Sequence, residues 1–393
     1  MRHDDVFAAE LARLRAAGLE RSLRAVDGAQ DTAILVGGRR VLSLCSNNYL
    51  GLANHPEVVE AAVAAARAAG VGSGASRLIS GSMRDLHRLE ERLATFKRTA
   101  ACLLFTSGYH ANLGVITALV GPGDAVFSDA LNHASLIDGC RLSHAAVHVY
   151  PHGDMDALAE RLRAVPARRR LIVTDSIFSM DGDAAPLAAI CELAEQHEAM
   201  VMVDEAHATG VVGARGAGLV DALGLHERVT VQMGTLGKAL GTFGAYVAGS
   251  RMLIDLLVNT ARTAIFTTAL PPPVAAAAAA ALTIVEREPE RRAALRRNAA
   301  HLRAGLLSLG FEVPGDPESH IVPIMVGEAT ATMALSAALL ERGVFAHGIR
   351  PPTVPEGTAR VRATVMATHS EADIDAALAA FAALAPARRR AAQ

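Results

Sequence analysis

The stretch "VTVQMGTLGKALGTFGAYVAG" (residues 229–249) contains two apolar, strand-like runs joined by a glycine-rich loop, and this loop carries Lys238. The chain has 38 lysine and arginine residues, of which only Lys97 and Lys238 are lysines. Arginine cannot supply a neutral amine, because its guanidinium group does not lose a proton in proteins. A lysine in this uncharged segment therefore indicates amine chemistry. We expect Lys97, which ends an amphipathic helical pattern beside Arg98, on a solvated helix face.

The segments around this stretch predict the fold class. From about residue 57 to 250, apolar strand-like runs alternate with helical patterns rich in alanine and leucine. The candidate strands are residues 101–106, 125–128, 146–150, 171–174, 200–203, 229–233 and 245–248. Apolar strands separated by helices predict an α/β fold with a largely parallel sheet covered on both faces. Functional sites of such sheets lie at the carboxyl ends of the strands.

The proline-containing segment "TALPPPVAAAAAAALTIVEREPE" marks the predicted end of this sheet domain. After it, a long helix leads into a region with short strands such as "HIVPIMV" and "ARVRATV". We predict three parts: an N-terminal helix and arm (residues 1–45), a large α/β domain with a mostly parallel sheet (46–274), and a smaller α+β C-terminal domain (275–393).

The overall composition argues against several classes of protein. A formal net charge of −2 provides no basic surface for nucleic acid or for an anionic membrane. The longest apolar run, residues 274–285, is shorter than the ~20 residues that a membrane-spanning helix needs. Four widely spaced cysteines without a C-x-x-C pair fit reduced thiols. We therefore expect a cytoplasmic protein that binds neither nucleic acid nor a membrane.

Polar residues follow the candidate strands, and two of these clusters have both a structural and a functional interpretation. In "LLFTSGYHAN", Ser107, Gly108 and Tyr109 open a helix whose backbone N–H groups can bind a phosphate, although many strand-to-helix turns contain Ser-Gly. In "VMVDEAHATG", Asp204 ends a strand and His207 follows it. Asp204 can cap a helix or form a salt bridge, or its carboxylate can face a protonated ring nitrogen.

These clusters together match the requirements of pyridoxal 5'-phosphate. The cofactor needs a lysine for its Schiff base and a carboxylate that keeps its pyridine nitrogen protonated. It also needs hydroxyls and amides around its phosphate, and a flat group against its ring. The residues that fill these roles, in order, are Lys238; Asp204; Ser107, Gly108 and Tyr109 with Thr235; and His133.

Other types of site do not fit the sequence context. The nucleophile-elbow pattern G-x-S-x-G is absent. The segment "GVGSGA" (residues 70–75) is similar to a dinucleotide fingerprint, but it follows a helical pattern where that fingerprint must follow a strand. His144, His148 and His152 are spaced by four residues, yet a strand is predicted there and no cysteine or glutamate joins them. We therefore predict no metal site.

Motifs spread over nearly the whole chain, from about residue 21 to 374, carry a specific resemblance. They are "SNNYLGLANHP", "GSGASRLISG", "TSGYHAN", "LNHASLIDG", "VTDSIFSMDGD", "VDEAHATGV" and "GTLGKALG". Through them the sequence resembles the α-oxoamine synthases, a family of pyridoxal-phosphate enzymes with the fold-type I, aminotransferase-like architecture.

The resemblance implies a cofactor role for each candidate residue. Lys238 would carry the cofactor, Asp204 would pair with its pyridine nitrogen, and His207 would bond its phenolic oxygen. His133 would stack on the ring and touch the substrate. The residues that would contact the cofactor mostly around its phosphate are Gly108, Tyr109, Ser179 and Thr235. Relatives often have phenylalanine at the position of Tyr109, and a backbone contact would survive that difference.

The resemblance also implies the reaction. The segment "GIRPPTVPEGTARVR" (residues 348–362) is most similar to family members that condense L-alanine with a pimeloyl thioester, of CoA or acyl carrier protein, in biotin biosynthesis. Arg362 would bind the amino-acid carboxylate with Asn47 nearby, and Arg21 and Thr353 would contact the acyl substrate. Because strand side chains alternate, Arg360 lies on the same face as Arg362, and geometry alone leaves both possible.

Members of this family are homodimers with active sites at the subunit boundary, so Thr267 and Thr268 would reach the partner's phosphate. Two alternatives keep the fold and change the substrates: glycine with acetyl- or succinyl-CoA, or serine with a long acyl-CoA. More distant alternatives are an aminotransferase, a catalytically silent cofactor-binding subunit and a cofactor-sensing regulator. Lys238 argues against the silent subunit, and the lack of an N-terminal DNA-binding module argues against the regulator.

Overall fold

The computed structural model describes residues 3–385 of the 393-residue chain. Its strands are β1 (Val26–Asp27), β2 (Ala33–Val36), β3 (Arg39–Ser43), β4 (Ala101–Phe105), β5 (Ala125–Asp129), β6 (Ala146–Tyr150), β7 (Arg170–Asp175), β8 (Ala199–Asp204), β9 (Val231–Thr235), β10 (Ala245–Gly249), β11 (Ile321–Gly327), β12 (Val344–Phe345), β13 (His347–Ile349) and β14 (Ala359–Thr364). Its helices are α1 (His3–Ala16), α2 (Pro56–Ala69), α3 (Arg84–Lys97), α4 (Gly108–Leu119), α5 (Ala134–Ser143), α6 (Met155–Ala164), α7 (Leu187–Gln196), α8 (Leu219–Ala222), α9 (Arg251–Thr260), α10 (Arg262–Ile265), α11 (Pro272–Arg287), α12 (Pro289–Ser308), α13 (Ala329–Glu341) and α14 (Glu371–Ala382).

A seven-stranded sheet with the order β4-β10-β9-β8-β7-β5-β6 forms from the predicted strands, which confirms the α/β fold class. Strands β9, β8, β7, β5 and β6 pair in parallel, whereas β10 pairs antiparallel with both β9 and β4. The loop between β9 and β10 is too short for the crossover of a dozen or more residues that a parallel pair requires. Because β4 is antiparallel to β10, it runs in the same direction as β9. The carboxyl ends of all strands except β10 therefore lie along one edge.

Helices cover both faces of this sheet, as continuous apolar strands predict. On one face, α4, α5 and α9 bury side chains that include Val115, Leu136 and Leu257. On the other face, α6 and α7 bury Leu158 and Ile190. This packing fixes the strand ends, and with them the loops that carry the candidate site residues.

The described chain divides into two compact units, and the division differs from the predicted domain boundaries. The larger unit contains residues 47–179 and 183–294. The smaller unit contains the segment before residue 47, residues 180–182 and the segment from residue 295 onward. Helix α11, predicted to open the C-terminal domain, packs on α2 and α3 of the larger unit. Its buried alanines, among them Ala278 and Ala281, present a flat apolar side to these helices.

The smaller unit joins the N-terminal arm to the C-terminal region through its sheets. Strands β2 and β3 pair antiparallel around Gly37 and Gly38, and the parallel partner of β3 is β12 from the far end of the chain. A second sheet has the order β11-β14-β13. Because β3 pairs with β12, the arm and the C-terminal region form one folded unit. Helix α1, at the start of the arm, contains no buried residue.

Within residues 3–385, none of the helices is both long enough and apolar enough to traverse a bilayer.

Candidate active site

Lys238 lies in the loop that follows β9, and backbone hydrogen bonds give this loop a defined shape. Leu236 donates its backbone N–H to the carbonyl oxygen of Gly244 at 2.9 Å, and Gly241 donates to that of Lys238 at 2.8 Å. Gly241 has a φ of +64° and packs so closely on the backbone of Ala53 that a Cβ atom there would collide. The Lys238 side chain is half-buried and lines a cavity.

This cavity has a volume of about 180 Å³ and collects residues from the carboxyl ends of several strands. The candidate residues that line it are Gly108, Tyr109, His133, Asp204, His207, Thr235 and Lys238. Their chain positions are far apart, and only the parallel arrangement of the strands brings them together.

His207 stands between Lys238 and the protein core. Its Nε2 atom is 2.8 Å from Lys238 Nζ, and its Nδ1 atom is 2.7 Å from the Tyr49 hydroxyl oxygen. The histidine side chain is buried, and Tyr49 is inaccessible to solvent. Both ring nitrogens of His207 are therefore within hydrogen-bonding distance of named partners.

Asp204 is the last residue of β8, and two hydrogen bonds fix the orientation of its buried carboxylate. Its Oδ1 accepts the backbone N–H of Ala206 at 2.8 Å, and its Oδ2 accepts from Asn112 Nδ2, also at 2.8 Å. The same Asn112 nitrogen donates to the Ser135 hydroxyl at 2.8 Å. Asn112 was not predicted as a site residue, although it lies inside the quoted motif "TSGYHAN", because a buried helical asparagine gives no periodic signal.

His133 is tied to two other groups of the cavity wall. Its backbone N–H donates to Asp175 Oδ2 at 2.8 Å, and its ring Nδ1 lies 2.7 Å from the Ser135 hydroxyl oxygen. His133 is exposed as a residue, yet the protein around its ring restricts hydration and lowers the pKa of His133, while the Asp204 carboxylate opposes this shift. Burial, reinforced by Asp204, raises the pKa of Asp175 well above its usual range.

The first turn of α4 forms another wall of the cavity. The side chain of Ser107 caps this helix by accepting the backbone N–H of His110 at 3.2 Å. The first N–H groups of a helix have no acceptor inside the helix, so this turn can bind an anion. The Tyr109 hydroxyl donates to Asp138, which raises the pKa of Tyr109. Its ring is therefore held by Asp138, and its backbone is the part suited to an anion.

The remaining candidate residues lie elsewhere. Ser179, Thr267 and Thr268 belong to the larger unit but do not line this cavity. Asn47 begins the larger unit, whereas the acyl-contact candidates Arg21 and Thr353 belong to the smaller unit, where both are exposed.

The two arginines of "ARVR" differ in their surroundings, although both belong to β14 and both are buried. Arg360 forms an ion pair with Asp181 and also donates to the carbonyl oxygen of Met180 at 3.3 Å. Its guanidinium charge is thus already matched by a carboxylate of the chain. The structure therefore weakens the case for Arg360 as a substrate-binding residue.

The prediction for Lys97 is wrong. Its side chain is fully buried, and its Nζ atom bonds both the Glu205 carboxylate and the carbonyl oxygen of Ala217. Helix α3 packs against the sheet, and Glu205 provides the charge that makes burial of the ammonium group possible. The sequence does not reveal this pairing, because the two residues are far apart along the chain.

The three histidines of the segment 144–152 take part in separate contacts. His144 ends α5 in the left-handed conformation, and His148 lies within β6. His152 bridges Asp129 at 3.0 Å and Asp183 at 2.7 Å, and these carboxylates raise its pKa to about 10. A protonated imidazole of this kind donates at both nitrogens and cannot bind a metal ion.

Three comparisons with known proteins indicate the same kind of protein. The family model described as aminotransferase class I and II matches residues 39–381. The 8-amino-7-oxononanoate synthase of Anaeromyxobacter sp. (strain K) is 55% identical over 382 residues, which cover 97% of this chain and 96% of that protein. The serine palmitoyltransferase of S. paucimobilis, solved with a PLP–myriocin aldimine, has a TM-score of 0.91 and 33% identity, and the match covers 96% of both chains.

A second solved structure has the same name as the Anaeromyxobacter protein. The 8-amino-7-oxononanoate synthase of Francisella tularensis has a TM-score of 0.76 and 26% identity, and the match covers 88% of this chain and 97% of that chain. The resemblance read from the motifs is confirmed. The chain belongs to the aminotransferase class I and II family, within the group of 8-amino-7-oxononanoate synthases.

Proposed function

We propose that this chain catalyses the decarboxylative condensation of L-alanine with a pimeloyl thioester, with pyridoxal 5'-phosphate as cofactor. The products are 8-amino-7-oxononanoate, CO₂ and the free carrier. The extensive identity to a protein named for this product supports the choice of substrates. The structural observation that carries the proposal is the Lys238 amine, 2.8 Å from His207 in a cavity that also contains Asp204.

The cavity residues fit the cofactor chemically. Lys238 offers a primary amine for its aldehyde, and the first turn of α4 offers N–H groups for its phosphate. Asp204 is a buried carboxylate that a protonated pyridine nitrogen would neutralise. When bound, pyridoxal phosphate supplies a pyridinium ring that withdraws electrons from the α-carbon of the amino acid.

The protein side of the mechanism depends on orientation. The hydrogen bonds from Ala206 and Asn112 hold the Asp204 carboxylate in the orientation in which it would keep the pyridine nitrogen of the cofactor protonated. His133 would lie against the ring face, and His207 would bond the phenolic oxygen. Lys238 would hold the cofactor covalently at rest and move a proton between its Nζ atom and the substrate α-carbon during turnover.

Substrate recognition needs a cation for the alanine carboxylate. We assign this role to Arg362, because the family resemblance gives the carboxylate-binding arginine this position and a planar guanidinium binds a carboxylate through two parallel hydrogen bonds. Asn47 would lie near this carboxylate. Arg21 and Thr353 would contact the pimeloyl thioester.

The functional assembly would be a homodimer. Large apolar side chains are exposed at Val71, Ile79, Phe243 and Phe266, and Ala75 accepts a backbone hydrogen bond from Ala269, which brings two of these segments together. Exposed apolar patches commonly mark contact sites between proteins. In the dimer, Ser179 would contact the phosphate of its own subunit, and Thr267 and Thr268 that of the partner.

A second candidate substrate pair is serine with a long acyl thioester. The high TM-score to serine palmitoyltransferase favours it, but a shared fold does not determine the substrate. The test is an activity panel of alanine, glycine and serine against pimeloyl-, acetyl-, succinyl- and palmitoyl-CoA. We expect alanine with pimeloyl-CoA to give the highest kcat/KM in this panel. Pimeloyl-acyl carrier protein is assayed with alanine alongside pimeloyl-CoA. Faster turnover of serine with palmitoyl-CoA would overturn the proposed substrates.

A further inference from the structure

A line of hydrogen bonds runs from the cavity into the core of the larger unit. It joins Lys238 Nζ to His207 Nε2 at 2.8 Å, and His207 Nδ1 to the Tyr49 hydroxyl oxygen at 2.7 Å. The Tyr49 hydroxyl in turn donates to Asn47 Oδ1 at 3.0 Å. Tyr49 is 0% exposed, so bulk water cannot replace it as a partner of the histidine.

Counting hydrogens along this line determines the form of the histidine. A phenolic hydroxyl has one hydrogen, and an amide oxygen only accepts. Because the hydrogen of Tyr49 points to Asn47, the phenolic oxygen can only accept from the histidine. His207 Nδ1 must therefore be the donor. In the neutral ring, Nε2 then keeps its lone pair, and this lone pair faces Lys238.

The turn that holds Tyr49 is itself fixed. The Asn48 side-chain oxygen accepts the backbone N–H groups of Leu52 at 2.9 Å and Ala53 at 3.1 Å. The same Ala53 backbone is in close contact with Gly241, from the loop that carries Lys238. The two ends of the line therefore belong to loops that pack directly on each other.

We propose that Tyr49 is a positioning residue that holds His207 in the Nδ1–H form and so confines proton exchange by this histidine to Nε2. In this form Nε2 accepts a proton from the Lys238 ammonium group. The N–H bond at Nζ breaks, the electron pair returns to the amine, and the new N–H bond forms at Nε2. Lys238 thereby becomes the neutral amine that attacks a carbonyl. This inference rests on the proposed roles of Lys238 and His207.

The test measures the tautomer directly, in the full-length holoenzyme labelled with ¹⁵N-histidine. His207→Gln assigns the signals. In the wild type we expect a proton on Nδ1 of His207. In Tyr49→Phe we expect the ring to move to the Nε2–H form, because the acceptor for Nδ1 is gone and free histidine prefers that tautomer. In the holoenzyme Lys238 would be attached to the cofactor, so no ammonium group would oppose a proton on Nε2. We also expect kcat to fall about 10-fold, less than the 10²–10⁴-fold that a whole acid–base group contributes.

Tyr246→Phe is the matched control. Tyr246 is also 0% exposed, and its hydroxyl pairs with Thr209 Oγ1 at 2.8 Å, outside the cavity. Both variants remove one buried hydroxyl, so we expect similar losses in melting temperature. We expect Tyr246→Phe to keep the Nδ1 proton of His207 and the wild-type kcat. Retention of the Nδ1 proton in Tyr49→Phe, or the same loss of kcat in both variants, would overturn the inference.

Borohydride reduction followed by peptide mass spectrometry separates this inference from the proposed function. If the wild type fails to bind the cofactor at Lys238, the proposed function is wrong, although the tautomer would still be as inferred. If the cofactor is bound at Lys238 and Tyr49→Phe does not change the tautomer, only the inference about Tyr49 is wrong.

Discussion

Lys97 and Lys238, the two lysines of the chain, show how the surroundings of a side chain decide its use. Lys97 is fully buried and paired with the Glu205 carboxylate. Lys238 is half-buried, lines a cavity and lies beside a histidine ring. A carboxylate partner stabilises the ammonium form, whereas a histidine nitrogen can take its proton. The first lysine is therefore structural, and the second is suited to chemistry.

Asp204 and Glu205 are adjacent in the chain and show the same difference between a cavity residue and a core residue. Asp204 lines the cavity, whereas Glu205 pairs with Lys97 and accepts the backbone N–H of Val220 at 2.9 Å. A single strand end thus supplies one carboxylate to the site and the next to the core. Neighbouring acidic residues can thus serve stability and catalysis separately, and substitution of each residue tests this division.

The largest expected effect comes from Lys238→Ala. Without its amine the protein should lose covalent attachment of the cofactor, and kcat should fall by more than the 10²–10⁴-fold typical of an acid–base group. Steady-state kinetics and mass spectrometry after borohydride reduction measure both effects. Reduction that attaches the cofactor to Lys97 would reverse our assignment of the two lysines.

Lys97→Met should act on stability. The substitution leaves Glu205 buried without a cation, which typically costs about 3–5 kcal/mol. Denaturant unfolding measures the free-energy change. The double variant with Glu205→Gln removes the uncompensated charge and should recover much of the loss. A Lys97→Met protein as stable as the wild type would show that the ion pair has no structural role.

Asp204→Asn should lower activity and leave the fold intact, because an amide cannot keep the pyridine nitrogen protonated. Electrostatic contributions of this kind are typically worth about 10²-fold or more in kcat. Glu205→Gln, one residue later, is the matched control. It should reduce the free energy of unfolding while kcat of the folded enzyme stays near the wild-type value. Equal losses of kcat in the two variants would contradict the division between cavity and core.

The smallest expected effect concerns His152, a charge outside the cavity. The hydrogen bonds that His152 donates to Asp129 and Asp183 raise its pKa to about 10, above the ordinary value of 6.5. A raised pKa stabilises the fold fully below pH 6.5, and this contribution is lost as the pH rises towards 10. His152→Gln should therefore destabilise the protein more at pH 6 than at pH 10, as unfolding free energies would show. An equal loss at both pH values would contradict the ion bridge.

Much of the fold could be predicted because its signals are local. Most strands of the large sheet contain a short apolar run, and β5 is buried at every position. The antiparallel direction of β10 was not predicted, although the loop between β9 and β10 is too short for the crossover that a parallel pair requires. The unit boundary at residue 294 depends on α11 packing against α2, a contact that no local pattern reveals.

Site residues could be predicted from the sequence where their residue type has few roles in proteins. They could not be predicted where a tertiary contact determines the role. Lys238 and Asp204 can be singled out from the sequence, because an amine or a carboxylate that follows an apolar strand requires a partner or a function. Asn112 and Tyr49 gave no such signal, because a buried amide or phenol is common in a core. Only the distances to Asp204 and His207 show what they do.

Residue type and order are enough to predict the strand-and-helix alternation, to single out the lysine at position 238 and, through the motifs, to identify the family. Three features instead require the folded chain: the burial of Lys97, the pairing of Arg360 with Asp181 and the hydrogen-bonding contact of Tyr49 with His207. The physical reason is that the behaviour of a charge or a proton depends on the groups a few ångströms away, and those groups come from distant parts of the chain.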